Sequence, residues 1–562
     1  MKPRTRKSFI KMNLKNPLLV FLNFLILNIG YAQVTLESSN LPIVIINTNG
    51  QSITVDEKVI NLKVIYNGEG KRNFINSTEA HYNGKAEINI RGNSSTMFPK
   101  KAFSLKTIDH LGVDFNFPLL GLPTEHSWVL HAAYNDKTLM RNYISYRLSA
   151  EMGNYAPRTK FIEVVINGDY RGVYLLVESI KRDKNRVNIS KNLPETIIGD
   201  GLTGGYIVKI DKMDEGEAFW TSNYASNTSG DRVKFLYHYP KEIDINEQQK
   251  YYIENHFHDF EDALQSGDFM DKENGYRKFI NVKSFIDHLI LNEASRDVDG
   301  YRVSTYLYKD KDSKDGRIHI GPVWDYDLAW FNANYGGGNK TEGWQYKYNY
   351  YWTSSNPDKW PSPFWWRRFL EDPDFVIDWH CRYTFLRQSN GVLDLKRISN
   401  MIDSVASALS ESSERNFKRW PVLGEYVWPN PEPFPETYEG ELDKLKSWIN
   451  DRLLWLDNNT PGSCPKDYYA SVKEDVLASL SLKVYPNPFR GEMNVNFLLH
   501  EPADVQIEVL NSYGMVVKSF PKAHKTTGVH FEQFNSDELS AGVYILVLKV
   551  NGKSYHQKLI KV

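Results

Sequence analysis

The sequence predicts an α+β protein, one large mixed unit followed by a small all-β unit. Three observations carry that expectation. Residues 33–106 and 159–210 hold short apolar or alternating runs parted by Gly and Asn turn signals, the pattern of strands. Residues 246–296 and 367–458 repeat apolar residues at helical spacing. From 481 onward short strand-like runs return, LKVYPNPF and MNVNFLL first, as in a small β-sandwich. At 562 residues the chain exceeds one ordinary domain and can bury a large core.

In chain order, residues 1–32 read as a signal peptide. A basic stretch precedes the apolar run PLLVFLNFLILNIG, and Gly30-Tyr31-Ala32 supplies small residues ahead of a cut at Gln33. The run contains Asn23 and Asn28 and is shorter than the ~20 residues that span a bilayer. Gln33 is not Cys, so a lipid anchor is not expected, and no transmembrane segment is expected in the mature protein.

The unit 33–458 opens with the strands LPIVIINT, NLKVIY, KAEINIRG and KAFSLK. Between the last two lies Arg91-Gly92-Asn93-Ser94-Ser95-Thr96, followed by Lys100, Lys101 and Lys106. A Gly and Ser loop offers N–H groups and hydroxyls to an anion, and the cations add charge. It reads either as a phosphate cradle or as a polar turn with a basic flank. Met140, Ile144, Leu148 and Met152 then recur every four residues, a helix that Asn135 or Asp136 can cap and Gly153 can close. Residues 159–178 read as a hairpin around Asn167-Gly168-Asp169, with Glu178 ending its second strand. A further strand carries Lys209 and Asp211. His256, His258 and His288 lack an HExxH spacing and are expected to be structural.

The stretch 296–330, RDVDGYRVSTYLYKDKDSKDGRIHIGPVWDYDLAW, gathers the chemistry. It reads as a hairpin with Asp297 and Asp299 at one end and Asp325 and Asp327 at the other. Folding brings both ends together. A strand alternates faces and rises about 3.3 Å per residue, so Asp325 and Asp327 point the same way, roughly 6 to 7 Å apart at Cα. Crowded carboxylates repel unless a cation or proton compensates. The two readings are a hard-cation site and an acidic hairpin with solvated ends.

Beyond it, residues 330–366 hold six Trp in a Gly-rich, aromatic insert, which suits a lid or a binding surface, a glycan among its possible ligands. Segment 459–480 reads as a linker. With 68 basic and 69 acidic residues the charge balance argues against bulk nucleic-acid binding. Two cysteines, Cys381 and Cys464, are too few for a Cys-ligated zinc site, and their spacing leaves pairing open.

The series INIRGNSSTMFPKKAFSLK, WVLHAAYNDKTLMRN, VINGDYRGVYLLVESIKRDKNRVNI, TGGYIVKIDK and GPVWDYDLAW resembles the CotH family, in order, over about residues 40–455. Residues 481–562, with YPNPF and LSAGVYILVLKVNGK, resemble the C-terminal sorting domain of type IX secretion substrates. The first resemblance implies an atypical protein-kinase-like fold that binds ATP with Mg2+ or Mn2+ and transfers phosphate to Ser or Thr of a protein substrate. It implies Asp299 as the catalytic residue, with Asp297 competing for that place, and Asp325 and Asp327 as metal ligands. By the same resemblance Lys100, Lys101 or Lys106 meets the phosphates, the loop Arg91, Ser94 and Ser95 lies nearby, and Glu178 stands near the nucleotide. Departures are the lack of GxGxxG, HRD and DFG motifs, and Ser304 where a metal-binding amide is expected; a catalytically inactive binding protein on the same fold is the alternative. The second resemblance implies export through the periplasm by the type IX machinery to the cell surface or medium.

Overall fold

The computed structural model describes residues 34–562, apart from 214–215, 227–229, 352–359, 466–467, 469–481, 500–501, 512, 527 and 537. The signal-peptide segment and most of the linker fall outside the described residues.

Seven strands close into a barrel in the spatial order Ile43–Asn47, Lys58–Ile65, Tyr82–Arg91, Ala102–Ile108, Ser127–His131, Asp169–Glu178 and Thr159–Ile166. Closure is made by the parallel pair Ile43–Asn47 and Thr159–Ile166, the other neighbours being antiparallel. Alternate residues point inward, and Leu62, Ile88, Leu105, Leu130, Ile162 and Leu176 fill the interior. The hairpin at Asn167-Gly168 forms as the sequence predicts: φ is 51° and 82°, the positive values that a type I′ turn needs.

The second part of the large unit is helical around one sheet. Helix α1 (Arg141–Glu151) buries Met140, Ile144, Leu148 and Met152 as the four-residue spacing predicts. Its start is held from outside the helix, where the Arg141 N–H donates to Asp136 Oδ2 at 2.9 Å. Helix α2 (Glu247–Gln265) begins with a reciprocal capping box between Asn246 and Gln249. Helix α3 (Val282–Ser295) is buried all round from Ser284 to Ser295, the mark of a central helix, and stops at Arg296 in the left-handed region. A five-stranded sheet, ordered Phe219–Thr221, Lys234–Tyr239, Tyr206–Ile210, Thr305–Lys309 and Ile318–Ile320, packs on these helices. The short α4 (Asp312–Asp315) turns between its last two strands.

Helices α5 (Trp365–Phe369), α6 (Pro373–Arg387), α7 (Leu395–Arg419) and α8 (Tyr438–Asn459) complete this core. In α7, Ile398, Ile402, Val405 and Leu409 form the buried stripe. A disulfide joins Cys381 to Cys464, which ties α6 to the chain beyond α8. The C-terminal unit is strand-rich: a three-stranded sheet and a second sheet share one core of Val495, Phe497, Ile507, Val509, Leu546 and Leu548. Among the described residues no helix is long and apolar enough to cross a membrane.

Candidate functional site

The hairpin read from the sequence forms, with Thr305–Lys309 antiparallel to Ile318–Ile320 and Leu307 facing Ile320, but its second strand stops short of the acidic pair. Asp325 is left-handed and Asp327 stands on the 3-10 turn Tyr326–Leu328, because the chain turns after Gly321-Pro322 instead of continuing as a strand. Both acidic ends meet at its base, where Ser304 Oγ lies 3.5 Å from Asp325 Oδ2. Asp211, at the end of the neighbouring strand Tyr206–Ile210, joins them by accepting the Ser304 N–H at 3.3 Å. The backbone here is unusual. Arg296, Ser304, Asp325, Trp330 and Phe331 all have φ between 48° and 68°, and non-Gly residues in this region cost on the order of 1–3 kcal/mol each. Such conformations persist only where the surrounding structure over-determines them.

Asp327 is the most constrained of the carboxylates. Asn135 Nδ2 donates to its Oδ2 at 3.2 Å, and Asn332 Nδ2 donates to its main-chain carbonyl at 2.6 Å. Asn430 fixes that pair of amides by donating to both the Asn135 carbonyl and Asn332 Oδ1, at 2.8 and 2.9 Å. The residue keeps some surface open, but protein encloses its carboxylate. Burial first, and then the adjacent Asp325 charge, hold its pKa well above the usual carboxylate range. Asp211 is pushed up to about 6 chiefly by burial, with the Asp325 charge adding to the rise.

Asp297 and Asp299, rivals in sequence, occupy different places. Asp297 is 1 % exposed; its Oδ1 accepts the Asp299 N–H at 3.2 Å while Oδ2 has no hydrogen-bond partner. Burial and then the Asp299 charge raise its pKa well above normal. Asp299 is partly exposed and accepts from Arg302 Nη2 at 3.0 Å. Gly300, which follows Asp299, has no room for a side chain, because a Cβ there would collide with the Asn292 amide, whose oxygen accepts the Tyr326 hydroxyl at 3.1 Å.

On the barrel side, Arg91 reaches the acidic half, its guanidinium 5.4 Å from the centroid of the Trp324 ring. Trp324 stacks on Tyr146, whose hydroxyl accepts the Asp325 N–H at 3.1 Å. Ser94 and Ser95 stand on a short 3-10 turn just beyond, Ser94 exposed. His131 closes this side: burial lowers its pKa, against the pull of Asp325 and Asp136.

The other residues that the resemblance placed at the phosphates are engaged elsewhere. Lys100 is 1 % exposed and donates to the Val173 carbonyl and Asn416 Oδ1, at 2.5 and 2.9 Å, with burial lowering its pKa to about 7. Lys101 donates to the Thr96 carbonyl, which braces the Ser94–Met97 turn. Lys106 pairs with Glu87 and Asp114, at 2.8 and 3.4 Å. Glu178, fully buried, accepts from both Arg158 nitrogens at 3.1 and 3.0 Å. Each of these groups thus has a protein partner, a charged one for Lys106 and Glu178 and a neutral one for Lys100 and Lys101.

The aromatic insert divides as well. Trp330, Trp365 and Trp366 are buried core, and Trp344 packs against Trp379 and Trp455. Trp352 lies outside the described residues. His288 is structural as expected, its Nε2 lying 2.9 Å from the Gly300 carbonyl.

Asn135, Tyr146, Asp211, Trp324 and Arg302 were absent from the sequence-derived site. Arg302 and Trp324 lie inside the acidic stretch 296–330 without having been assigned to the site, whereas Asn135, Tyr146 and Asp211 reach it from elsewhere in the chain, Asp211 alone of these three carrying a local signal as a carboxylate closing a strand. Among the described residues no three His, Cys, Asp or Glu side chains converge closely enough to hold a metal by themselves. A magnesium site needs no such cage, because one or two carboxylates plus substrate phosphates suffice. Crowded Asp325 and Asp327, with the unpartnered Asp297 oxygen behind them, fit that hard-oxygen chemistry.

A 51-residue stretch is 43% identical to inner spore coat protein H of Bacillus subtilis, covering 9% of this chain and only 14% of that protein's length. Residues 483–562 match the secretion system C-terminal sorting domain, which points to export. Residues 88–456, well over half of the chain, match the CotH kinase protein model, and the chain therefore belongs to that family.

Proposed function

We propose that this chain is a secreted or surface-exposed CotH-like protein kinase that moves the γ-phosphate of ATP to a Ser or Thr hydroxyl of another exported protein. The observation that carries this reading is the Asp325 and Asp327 pair, two carboxylates pressed together with Asp327 far from its ordinary pKa. Such a pair is relieved by a divalent cation. Asp325 and Asp327 would hold Mg2+ or Mn2+, which would supply positive charge to offset that of the phosphates. Arg91 adds positive charge from the barrel side, and the Ser94–Ser95 turn offers hydroxyls and N–H groups.

Asp299, partly exposed and bonded to Arg302, orients the acceptor. The hydroxyl oxygen bonds to the γ-phosphorus, the bond from that phosphorus to the β-phosphate oxygen breaks, ADP leaves, and the hydroxyl proton passes to Asp299. Little covalent chemistry is asked of the protein, so positioning and charge supply the rate. The alternative of a non-catalytic glycan binder has less aromatic surface to draw on, since three of its six tryptophans are core.

The test is transfer of label from γ-labelled ATP, with Mn2+, to the protein itself or to casein. Asp327→Asn is expected to lose about 10²–10³-fold in rate, the scale of removing one charge-stabilising group. Equal labelling by wild type and Asp327→Asn sinks the reading.

A further inference from the structure

The aromatic insert is fastened to the helical part at several points. Glu293, 1 % exposed, accepts the Gln345 and Tyr346 N–H groups at 2.8 Å each and pairs with Arg452 at 3.2 Å. Arg296 and Arg452 both donate to the Gly343 carbonyl, at 2.8 and 2.7 Å. Farther along, Asn349 brackets Ser362 through two bonds of 2.9 Å. The insert is thus seated by buried polar groups, which makes its position specific.

Arg302 joins that seat to the reacting end. Its side chain is 6 % exposed and makes four separate contacts. Nε donates to the Val298 carbonyl at 2.9 Å, Nη1 to the Trp360 carbonyl at 3.1 Å and Nη2 to Asp299 Oδ1 at 3.0 Å. The guanidinium lies 4.2 Å from the centroid of the Tyr348 ring. A planar fork stacked on a ring and bonded at both ends cannot rotate freely, so its direction is set by the insert.

We propose that Arg302 is a positioning residue for phosphoryl transfer, aligning Asp299 through contacts that the insert residues Tyr348 and Trp360 hold in place. The inference rests on the kinase reading above. It makes the insert part of the rate-determining geometry without any contact between the insert and ATP. A misplacement of about 1 Å in a reacting group costs on the order of 10²-fold, so loosening Arg302 is felt in kcat.

The experiment uses the full chain with Mn2+, ATP and casein, and compares wild type with Arg302→Ala, Arg302→Lys, Tyr348→Ala and the Arg302→Ala/Tyr348→Ala double variant. Arg302→Ala is expected to lower kcat about 10²-fold, with the KM for ATP and the ATP-induced thermal shift unchanged. Arg302→Lys recovers part of that loss, since a point charge can keep the Asp299 contact but not the fork. Tyr348→Ala lowers kcat less, and the double variant is no slower than Arg302→Ala because both act through one chain of contacts. Wild-type kcat in Arg302→Ala, additive losses in the double variant, or a fall accompanied by loss of the ATP shift in Arg302→Lys and Tyr348→Ala overturns the inference. A wild type that labels nothing removes the kinase reading and this inference together, whereas a labelling wild type with an unaffected Arg302→Ala removes only the inference.

Discussion

The barrel and the acidic hairpin treat charge in opposite ways. On the barrel side Lys106 sits between Glu87 and Asp114, and Glu178 is clasped by Arg158. On the hairpin side, Asp297, Asp325 and Asp327 crowd together, and among the described residues none of them forms an ion pair. Opposite charges in contact stabilise a fold, whereas like charges held in contact cost stability and persist where a ligand compensates them. Sequence motifs do not distinguish the two cases, because a Lys in a basic strand looks the same whether or not a carboxylate waits beside it.

Substitutions on the two sides should therefore separate function from stability. The largest effect is expected at Asp327, where Asp327→Asn should abolish labelling yet leave the melting temperature unchanged or higher, since a repelled carboxylate has been removed. A large fall in melting temperature would show that Asp327 is structural, like Glu178, and would erase the contrast. Glu178→Ala is the mirror case. It leaves the buried Arg186 and the half-exposed Arg158 without their carboxylate, and should cost about 3–5 kcal/mol in denaturant unfolding, the scale of breaking a buried pair. Unchanged stability there would mean that Glu178 is kept for another purpose.

Glu261 sharpens the comparison by pH. It is a buried carboxyl that accepts from Ser222 Oγ and Trp365 Nε1 at 2.9 Å each, and burial raises its pKa to about 7. A folded-state pKa above the unfolded value means that the native state binds the extra proton between the two. Its contribution is complete below the unfolded value near 4.3 and is lost as pH rises to about 7, a fall on the order of 3 kcal/mol. Unfolding of wild type and Glu261→Gln, measured across that window, should differ in slope, with the Gln variant flatter. The smallest effect is expected from Lys106→Ala. Its ion pairs are a third exposed, so the loss should be under about 1 kcal/mol and labelling should change little. A large drop in labelling would return Lys106 to the phosphate site.

Much of this fold was legible because its signals are local. The Asn167-Gly168 turn, the four-residue repeat of α1 and the acidic hairpin follow from backbone preference and periodicity, which neighbouring residues alone set. The partners of those elements were not legible. Asn135 meets Asp327 across 192 positions and Lys100 meets Asn416 across 316, and no pattern within a window reports such a meeting. The tryptophans of the insert misled for a related reason, as aromatic residues serve cores and binding surfaces with the same chemistry.

The local sequence placed Asp325 and Asp327 two residues apart beyond a hairpin that carries them to Asp297 and Asp299, with a basic Ser-bearing loop before them. It misplaced the pair on a strand: Asp325 is left-handed (φ 65°) and Asp327 stands on the 3-10 turn Tyr326–Leu328. The tertiary fold decided that Asp325 is exposed, Asp299 and Asp327 partly buried, and Asp297 fully buried. It also decided that Lys100, Lys106 and Glu178 would be satisfied internally while Arg91 reaches the site. The reason is that spacing and turn chemistry act along the chain, whereas desolvation and charge pairing depend on which distant groups the completed core brings within a few ångströms.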